Sequence, residues 1–188
     1  MKEYDPKDYW NHRAEKWSTL LIYRYPDEEL RIMMRYNEIA PSKVLEVGPG
    51  MGRGFITLLK AGMERDDYTA IDISIGMSDK MFKFTGVRPG IWDGKTLPFD
   101  DEVFDFLLSY DVLLHVKPEN IENHISELVR VSRDALYIVT YAGGRSSHHS
   151  FVHDYKGIFD RMGLSCETWK FADDRVHYII RKKQGLIE

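Results

Sequence analysis

The run Val44-Leu45-Glu46-Val47, followed by Gly48-Pro49-Gly50-Met51-Gly52-Arg53-Gly54, constrains this chain more than any other segment. A short apolar run leads into a turn with glycine at alternate positions. The amphipathic stretch Phe55-Ile56-Thr57-Leu58-Leu59 comes next. The pattern predicts a strand, a tight turn and a helix start, with glycine where a ligand must approach bare backbone. It also places a carboxylate, Glu46, inside the strand itself.

The rest of the chain follows that unit with strands and helices in alternation. A polar helix is expected over residues 5–21, opening after Asp5-Pro6, where proline suits the first turn. A second is expected from Pro26 to Pro41, with Leu30, Met33 and Met34 on one face. Beyond the strand at 44–47, a helix is expected over 52–60 with Phe55, Leu58 and Leu59 inward. Strands follow near 68–73, 89–92, 104–109 and 135–141, with helices at 77–84, 118–132 and 153–162. Ile121, Ile125, Leu128 and Val129 make the apolar stripe of the helix at 118–132. Two further strands, near 164–171 and 175–182, are joined by a short turn at Asp173-Asp174 and so must run antiparallel. Strands spaced by helices imply an α/β fold with a parallel, doubly wound sheet of seven strands, helices on both faces and an antiparallel C-terminal hairpin. At 188 residues a single domain is expected over 1–188, with residues 1–40 as a helical cap and 41–188 as the α/β core.

Composition narrows the partners. Net charge is −4, which gives no electrostatic reason to expect nucleic acid or an anionic membrane. The one dense basic run, Arg181-Lys182-Lys183, reads as a solvated strand end. Cys166 is the single cysteine, so no internal disulfide forms, and it is expected as a small buried hydrophobe. No apolar run reaches the ~18–20 residues of a membrane span, and the N-terminus is unlike a signal peptide, so a cytoplasmic location is expected.

Spacing decides among the nucleotide loops. A dinucleotide fingerprint needs Gly-x-Gly-x-x-Gly, but the sixth position is Arg53 counted from Gly48 and Phe55 counted from Gly50. No Gly-Lys-Ser/Thr follows, so a Walker loop is absent. An acid two residues before the first glycine repels a pyrophosphate and suits a ligand that carries an ammonium group. Asp72, twenty residues after Gly52, ends the second strand and can take both hydroxyls of a ribose. Asp93, in Ile91-Trp92-Asp93-Gly94, can accept a hydrogen bond from an adenine amino group.

With these residues the chain resembles the class I S-adenosylmethionine-dependent methyltransferases, in particular the small-molecule branch with the Leu97-Pro98-Phe99 and Phe104-Asp105 pattern. The resemblance spans roughly residues 40–183 and implies a Rossmann-like fold, with the terminal hairpin as the family's inverted last strand. It implies S-adenosylmethionine as cofactor and S-adenosylhomocysteine as product. The residues it implies for cofactor binding are Glu46, Gly48, Pro49, Gly50 and Gly52, then Asp72 and Ile73, Asp93 and Gly94, and Ser109 and Tyr110. The glycine loop and Glu46 take the methionine part, Asp72 the ribose, Asp93 the adenine, and Ser109-Tyr110-Asp111 border the methionine moiety. Arg53 is a candidate for the cofactor carboxylate or a solvated side chain. Tyr9 and Trp10 stand where related enzymes close a lid, with plain helix packing as the other reading. Asp105 is expected to hold the loop before its strand.

The acceptor has no motif. No nucleophile elbow is present, and Ser109-Tyr110-Asp111-Val112 departs from the Asn/Asp-Pro-Pro-Tyr of nucleobase amine methylation. A small-molecule acceptor methylated on oxygen or nitrogen is expected, with no membrane or nucleic-acid partner; a homo-oligomer is compatible with it. The alternatives are a protein or RNA methyltransferase and a non-catalytic cofactor-binding subunit with a regulatory or scaffold role. His115 and His149 are the candidate bases. His149 and His153 would share one face if residues 149–153 were helical, a spacing open to a metal, a base or an acceptor-pocket role. No metal is expected.

Overall fold

A buried strand, a glycine turn and a helix follow one another in the computed structural model, which describes residues 3–16, 43–141, 147–170 and 175–182. The expected helix over 26–41, residues 17–21 of the first helix, the Asp173-Asp174 turn, Ser146 and Lys183 lie outside those residues. The elements are α1 (Pro6–Lys16), β1 (Val44–Val47), α2 (Arg53–Lys60), β2 (Tyr68–Asp72), α3 (Ile75–Thr85), β3 (Gly90–Ile91), β4 (Phe104–Tyr110), α4 (Ile121–Val131), β5 (Ser132–Tyr141), α5 (Tyr155–Arg161), β6 (Cys166–Lys170) and β7 (Arg175–Arg181). The strands form a seven-stranded sheet in the order β3-β2-β1-β4-β5-β7-β6. The chain clusters into two compact units, Met1–Gly94 and Lys95–Glu188.

In the first unit β1 pairs parallel with β2, Val44 opposite Tyr68 and Val47 opposite Ile71. β2 pairs parallel with the short β3. Every residue of β1 is buried, as a parallel strand covered on both sides requires. α2 begins one residue later than expected because Gly52 holds a left-handed φ of 92° and stands outside the helix. Phe55 and Leu58 face inward as expected, but Thr57 fills the third inward place and Leu59 stays half-exposed. α3 begins at Ile75 rather than 77 because the Ser74 side chain caps it, accepting from the Met77 N–H at 3.1 Å.

In the second unit β4 and β5 pair parallel from Phe106–Ala135 to Tyr110–Val139. β7 runs antiparallel to both β5 and β6, so it is the inverted strand. α4 carries Ile121, Ile125 and Leu128 inward, with buried His124 and Val131 where Val129 was expected. β5 starts at Ser132, immediately after α4, so the two elements share no loop. Arg130 on α4 donates to the carbonyls of Leu97 at 2.9 Å and Phe99 at 2.8 Å, and Glu127 accepts from the Leu97 N–H at 2.8 Å. These bonds fasten the Leu-Pro-Phe segment. Asp105 pairs with Arg133, in keeping with a structural role. Cys166 is partly exposed rather than buried, because β6 is the sheet's last strand and has a neighbour on one side only. Arg181 and Lys182 are paired with Glu167 and Glu102, as a strand end in water tolerates. No helix among the described residues is long and apolar enough to cross a membrane.

The stripe on α4 anchors that helix in its unit, and Leu128 is fully buried in it. Leu128→Ala should lower the unfolding free energy by about 2–5 kcal/mol. A urea titration would show this as a lower midpoint at unchanged slope; a loss under about 1 kcal/mol would show that the stripe does not anchor the helix.

Candidate cofactor site

The first unit brings the acid, the glycine turn and the second acid together. The Gly48 N–H donates to the Ile71 carbonyl at 2.9 Å, extending the β1–β2 ladder by one bond. The turn closes with the Gly52 N–H on the Pro49 carbonyl at 2.9 Å. Gly48, Gly50 and Gly52 all have positive φ, at 69°, 57° and 92°. Among the described residues, a Cβ on Gly50 would meet nothing within 4 Å, so they leave this peptide open to an approaching ligand. A Cβ on Gly52 would lie 2.9 Å from the Thr85 side chain, so that glycine serves packing.

Glu46 is buried in the middle of β1, with 2% of its surface exposed. Its carboxylate accepts a hydrogen bond from the Tyr68 hydroxyl and another from the Phe55 N–H. Gly54 lies directly against it: a Cβ there would come within 2.6 Å of the carboxyl carbon. Burial pushes the Glu46 carboxyl up to about 7, and the Tyr68 hydroxyl and the charge of Arg53 oppose that rise.

Asp72 ends β2 and is also buried. It accepts from the Ser74 N–H at 2.8 Å and from the Gly50 N–H at 3.4 Å, so it ties the second turn to the first. Burial pushes its carboxyl up to about 6, and those backbone donors hold it back. The Trp92 N–H donates to the Asp72 carbonyl at 3.0 Å, which sets Asp93 just beyond β3 with its side chain exposed. A Cβ on Gly94 would lie 3.3 Å from the Ile73 side chain, so Ile73 and the Asp93-Gly94 turn are neighbours.

Asn11 was not anticipated. Its side-chain oxygen accepts from the Ser74 hydroxyl at 2.8 Å and the Gly76 N–H at 3.1 Å, docking α1 on the start of α3. Nothing local marks it, because the partners lie 63 and 65 residues away. Trp10 packs on the cluster of Ala14, Met51 and Met77, and Tyr9 meets the rings of Tyr4 and Trp10 edge-on. Both aromatic residues therefore pack within this unit.

The remaining candidates lie in the second unit. Ser109 is fully buried near the end of β4, and among the described residues its hydroxyl meets no hydrogen-bond partner. Tyr110 follows it, with the Arg175 guanidinium 5.6 Å from its ring centre and 5.2 Å from that of Tyr141. Arg175 is itself buried and pairs with Asp111 at 3.4 Å; it was not anticipated either. Asp111 has a left-handed φ of 56°. His115 bonds through Nδ1 to the His149 carbonyl at 2.6 Å, and the two rings stack at 5.8 Å. A carbonyl accepts only, so Nδ1 carries the proton and Nε2 the lone pair. Burial lowers the His115 pKa to about 4, leaving it neutral near pH 7. The helical sharing of one face by His149 and His153 does not form. The Phe151 N–H is taken by the Leu114 carbonyl, α5 begins only at Tyr155, and His153 bonds to the Val116 carbonyl at 3.0 Å.

Residues 44–135 match the family model described as a methyltransferase domain. Similar solved structures include a magnesium protoporphyrin IX methyltransferase from Synechocystis PCC 6803 with bound S-adenosylhomocysteine. It is 16% identical, covers 94% of this chain and 98% of its own, and has a TM-score of 0.72. An S-adenosylmethionine-dependent methyltransferase from Aquifex aeolicus is also 16% identical, covering 95% and 99% with a TM-score of 0.68. The fold is thus the Rossmann-like methyltransferase fold. The chain carries a methyltransferase domain over residues 44–135, and its structural neighbours include S-adenosylmethionine-dependent methyltransferases. Norajmaline N-methyltransferase from Rauvolfia serpentina is 26% identical over 158 residues, 76% of this chain. The chain spans about half the length of that curated relative, 53%.

The two buried acids have a consequence for pH. Both have folded-state values above their ordinary ones, so both bind protons more readily folded than unfolded. Their contribution to stability is complete below the unfolded values and is lost as pH rises through about 6 for Asp72 and about 7 for Glu46. The melting temperature of the ligand-free protein should therefore fall between about pH 5 and about pH 8, and Glu46→Gln should make that fall shallower. Identical profiles for the two proteins in a thermal-melting series would disprove the assignment.

Proposed function

We propose that this chain is an S-adenosylmethionine-dependent methyltransferase acting on a nitrogen or oxygen of a small-molecule acceptor. The observation that carries the reading is the buried Glu46 carboxylate ahead of an open glycine turn, with Asp72 tied to that turn through Gly50. Glu46 receives the ammonium of the cofactor's methionine part, and the backbone of Gly48, Pro49, Gly50 and Gly52 lets that part approach. Asp72 takes the ribose hydroxyls. Ile73, Asp93 and Gly94 flank the adenine, with Asp93 accepting from its amino group. For Ser109 and Tyr110 the support is the family resemblance alone.

When bound, the cofactor supplies a methyl group made electrophilic by its sulfonium. The chain's own part is to orient, to exclude water and, for some acceptors, to remove a proton. Alignment of this kind contributes on the order of 7–11 kcal/mol. A general base adds about 10²–10⁴-fold, or roughly 3–5 kcal/mol, and only where the acceptor must lose a proton. Positioning therefore outweighs any single side chain, which accounts for the lack of an obligatory catalytic motif. His115, neutral with its lone pair on Nε2, is the base candidate for a hydroxyl acceptor. The small-molecule class is supported by the likeness to an N-methyltransferase named for norajmaline and to a fold relative named for a porphyrin.

Calorimetry with S-adenosylmethionine and S-adenosylhomocysteine tests the cofactor site, and labelled-methyl transfer to a panel of amines, phenols and carboxylates tests the acceptor class. Both ligands should bind, and Asp72→Ala should weaken each about tenfold or more, since a charged hydrogen-bond partner is lost. Failure of either ligand to bind the wild-type protein would end this reading; methyl transfer only to protein or RNA would remove the small-molecule part.

A further inference from the structure

We infer that Tyr68 is a positioning residue for the cofactor-binding acid: its hydroxyl donates to the Glu46 carboxylate and aims it at a cationic amine. This rests on the cofactor site proposed above and adds a residue from the far end of the neighbouring strand.

Register makes the contact. Tyr68 stands opposite Val44 in the parallel β1–β2 pair, two residues before Glu46. Residues two apart share a face of a strand, about 6.6 Å apart along it. A tyrosine lying along the strand spans that gap, and its hydroxyl reaches the Glu46 carboxylate. Both groups are buried, so the bond is shielded from water. The ring is fixed against Phe55, with centroids 4.7 Å apart, and Phe55 supplies the second donor through its N–H. Gly54 blocks retreat on a further side. The carboxylate is thus bounded by a hydroxyl, a backbone N–H and a glycine, which fixes the direction it can present.

Packing alone does not call for the hydroxyl. A phenylalanine would fill the same space against Phe55, whereas the oxygen adds a donor to a buried carboxylate. The charged and titratable groups acting on Glu46 are few: Arg53 on α2 favours its anion, Asp72 at the end of β2 opposes it, and Tyr68 favours it. Of those that favour the anion, Tyr68 acts most strongly. Without it, Glu46 would hold its proton to higher pH, and a protonated acid attracts an ammonium weakly.

The test is calorimetry on wild type, Tyr68→Phe and Glu46→Gln between about pH 6 and pH 8.5. Two probes are used: S-adenosylhomocysteine, which carries the amino acid part, and 5′-methylthioadenosine, which lacks it. Tyr68→Phe should bind S-adenosylhomocysteine about tenfold more weakly near pH 7. Its loss of affinity on acidification should begin about one pH unit higher than in wild type, with recovery toward pH 8.5. Binding of 5′-methylthioadenosine should stay within about twofold, because only the ammonium contact is affected. Equal weakening of both probes at every pH, or loss of both through misfolding, would make Tyr68 merely structural and overturn the inference. An unchanged S-adenosylhomocysteine profile in Tyr68→Phe, alongside weakened binding in Glu46→Gln, would overturn it while leaving the cofactor site intact. Unchanged binding in Glu46→Gln would remove the site reading, and the inference with it.

Discussion

A carboxylate almost wholly removed from water is the fact around which the first unit is arranged. Burying an ionised acid costs several kcal/mol even after relaxation, and a domain's whole stability is only about 5–15 kcal/mol. Glu46 is tolerated because Tyr68 and the Phe55 N–H donate to it and Arg53 lies near enough to favour its charge. Those donors offset desolvation only in part, since the carboxyl still sits near 7 rather than at its ordinary 4.5. An apolar residue would serve the strand better. Stability therefore gives no reason for an acid at this point, whereas the positively charged ligand proposed above would.

The second acid is handled differently. Asp72 is bound by the backbone N–H groups of Ser74, Gly50 and Ile73, which belong to two different turns. Ser74 carries the connection further, since its N–H meets Asp72 while its hydroxyl meets Asn11 on α1. The first helix, the start of α3, the second acid and the glycine turn are thereby linked by hydrogen bonds over four residues. A helix that looks like a peripheral cap in the sequence is in this way joined to the loop proposed to hold the ribose.

Much of this was legible in the sequence. The alternation of strands and helices, the antiparallel C-terminal hairpin and the placement of Glu46, Asp72 and the glycines follow from local pattern and spacing, which are carried by contiguous residues; the order of the strands in the sheet does not. Element ends were read less well. α3 was placed two residues late because a serine cap outweighed the apolar pattern, and α4 was carried one residue too far into β5. The misreadings share a cause. Cys166 looks buried by residue type, but its exposure is set by the strand order, and the helix on which His149 and His153 would share a face does not form, the Phe151 N–H bonding to the Leu114 carbonyl instead. Asn11, Tyr68 and Arg175 left no sequence signal because each acts on a residue far along the chain. Long-range side-chain hydrogen bonds have no period and no motif.

The contact between Gly54 and Glu46 reaches beyond this one molecule. The two positions divide a fixed volume between them: a side chain can be added at 54 only if the acid at 46 is shortened or moved. Drift at either site is then conditional on the other. A lineage that enlarges position 54 while keeping an acid must move that acid or shorten it to aspartate, which draws the charge back toward the strand by one methylene. The glycine after the turn is in that sense a record of which acid precedes it, and the two should be exchanged as a pair or not at all.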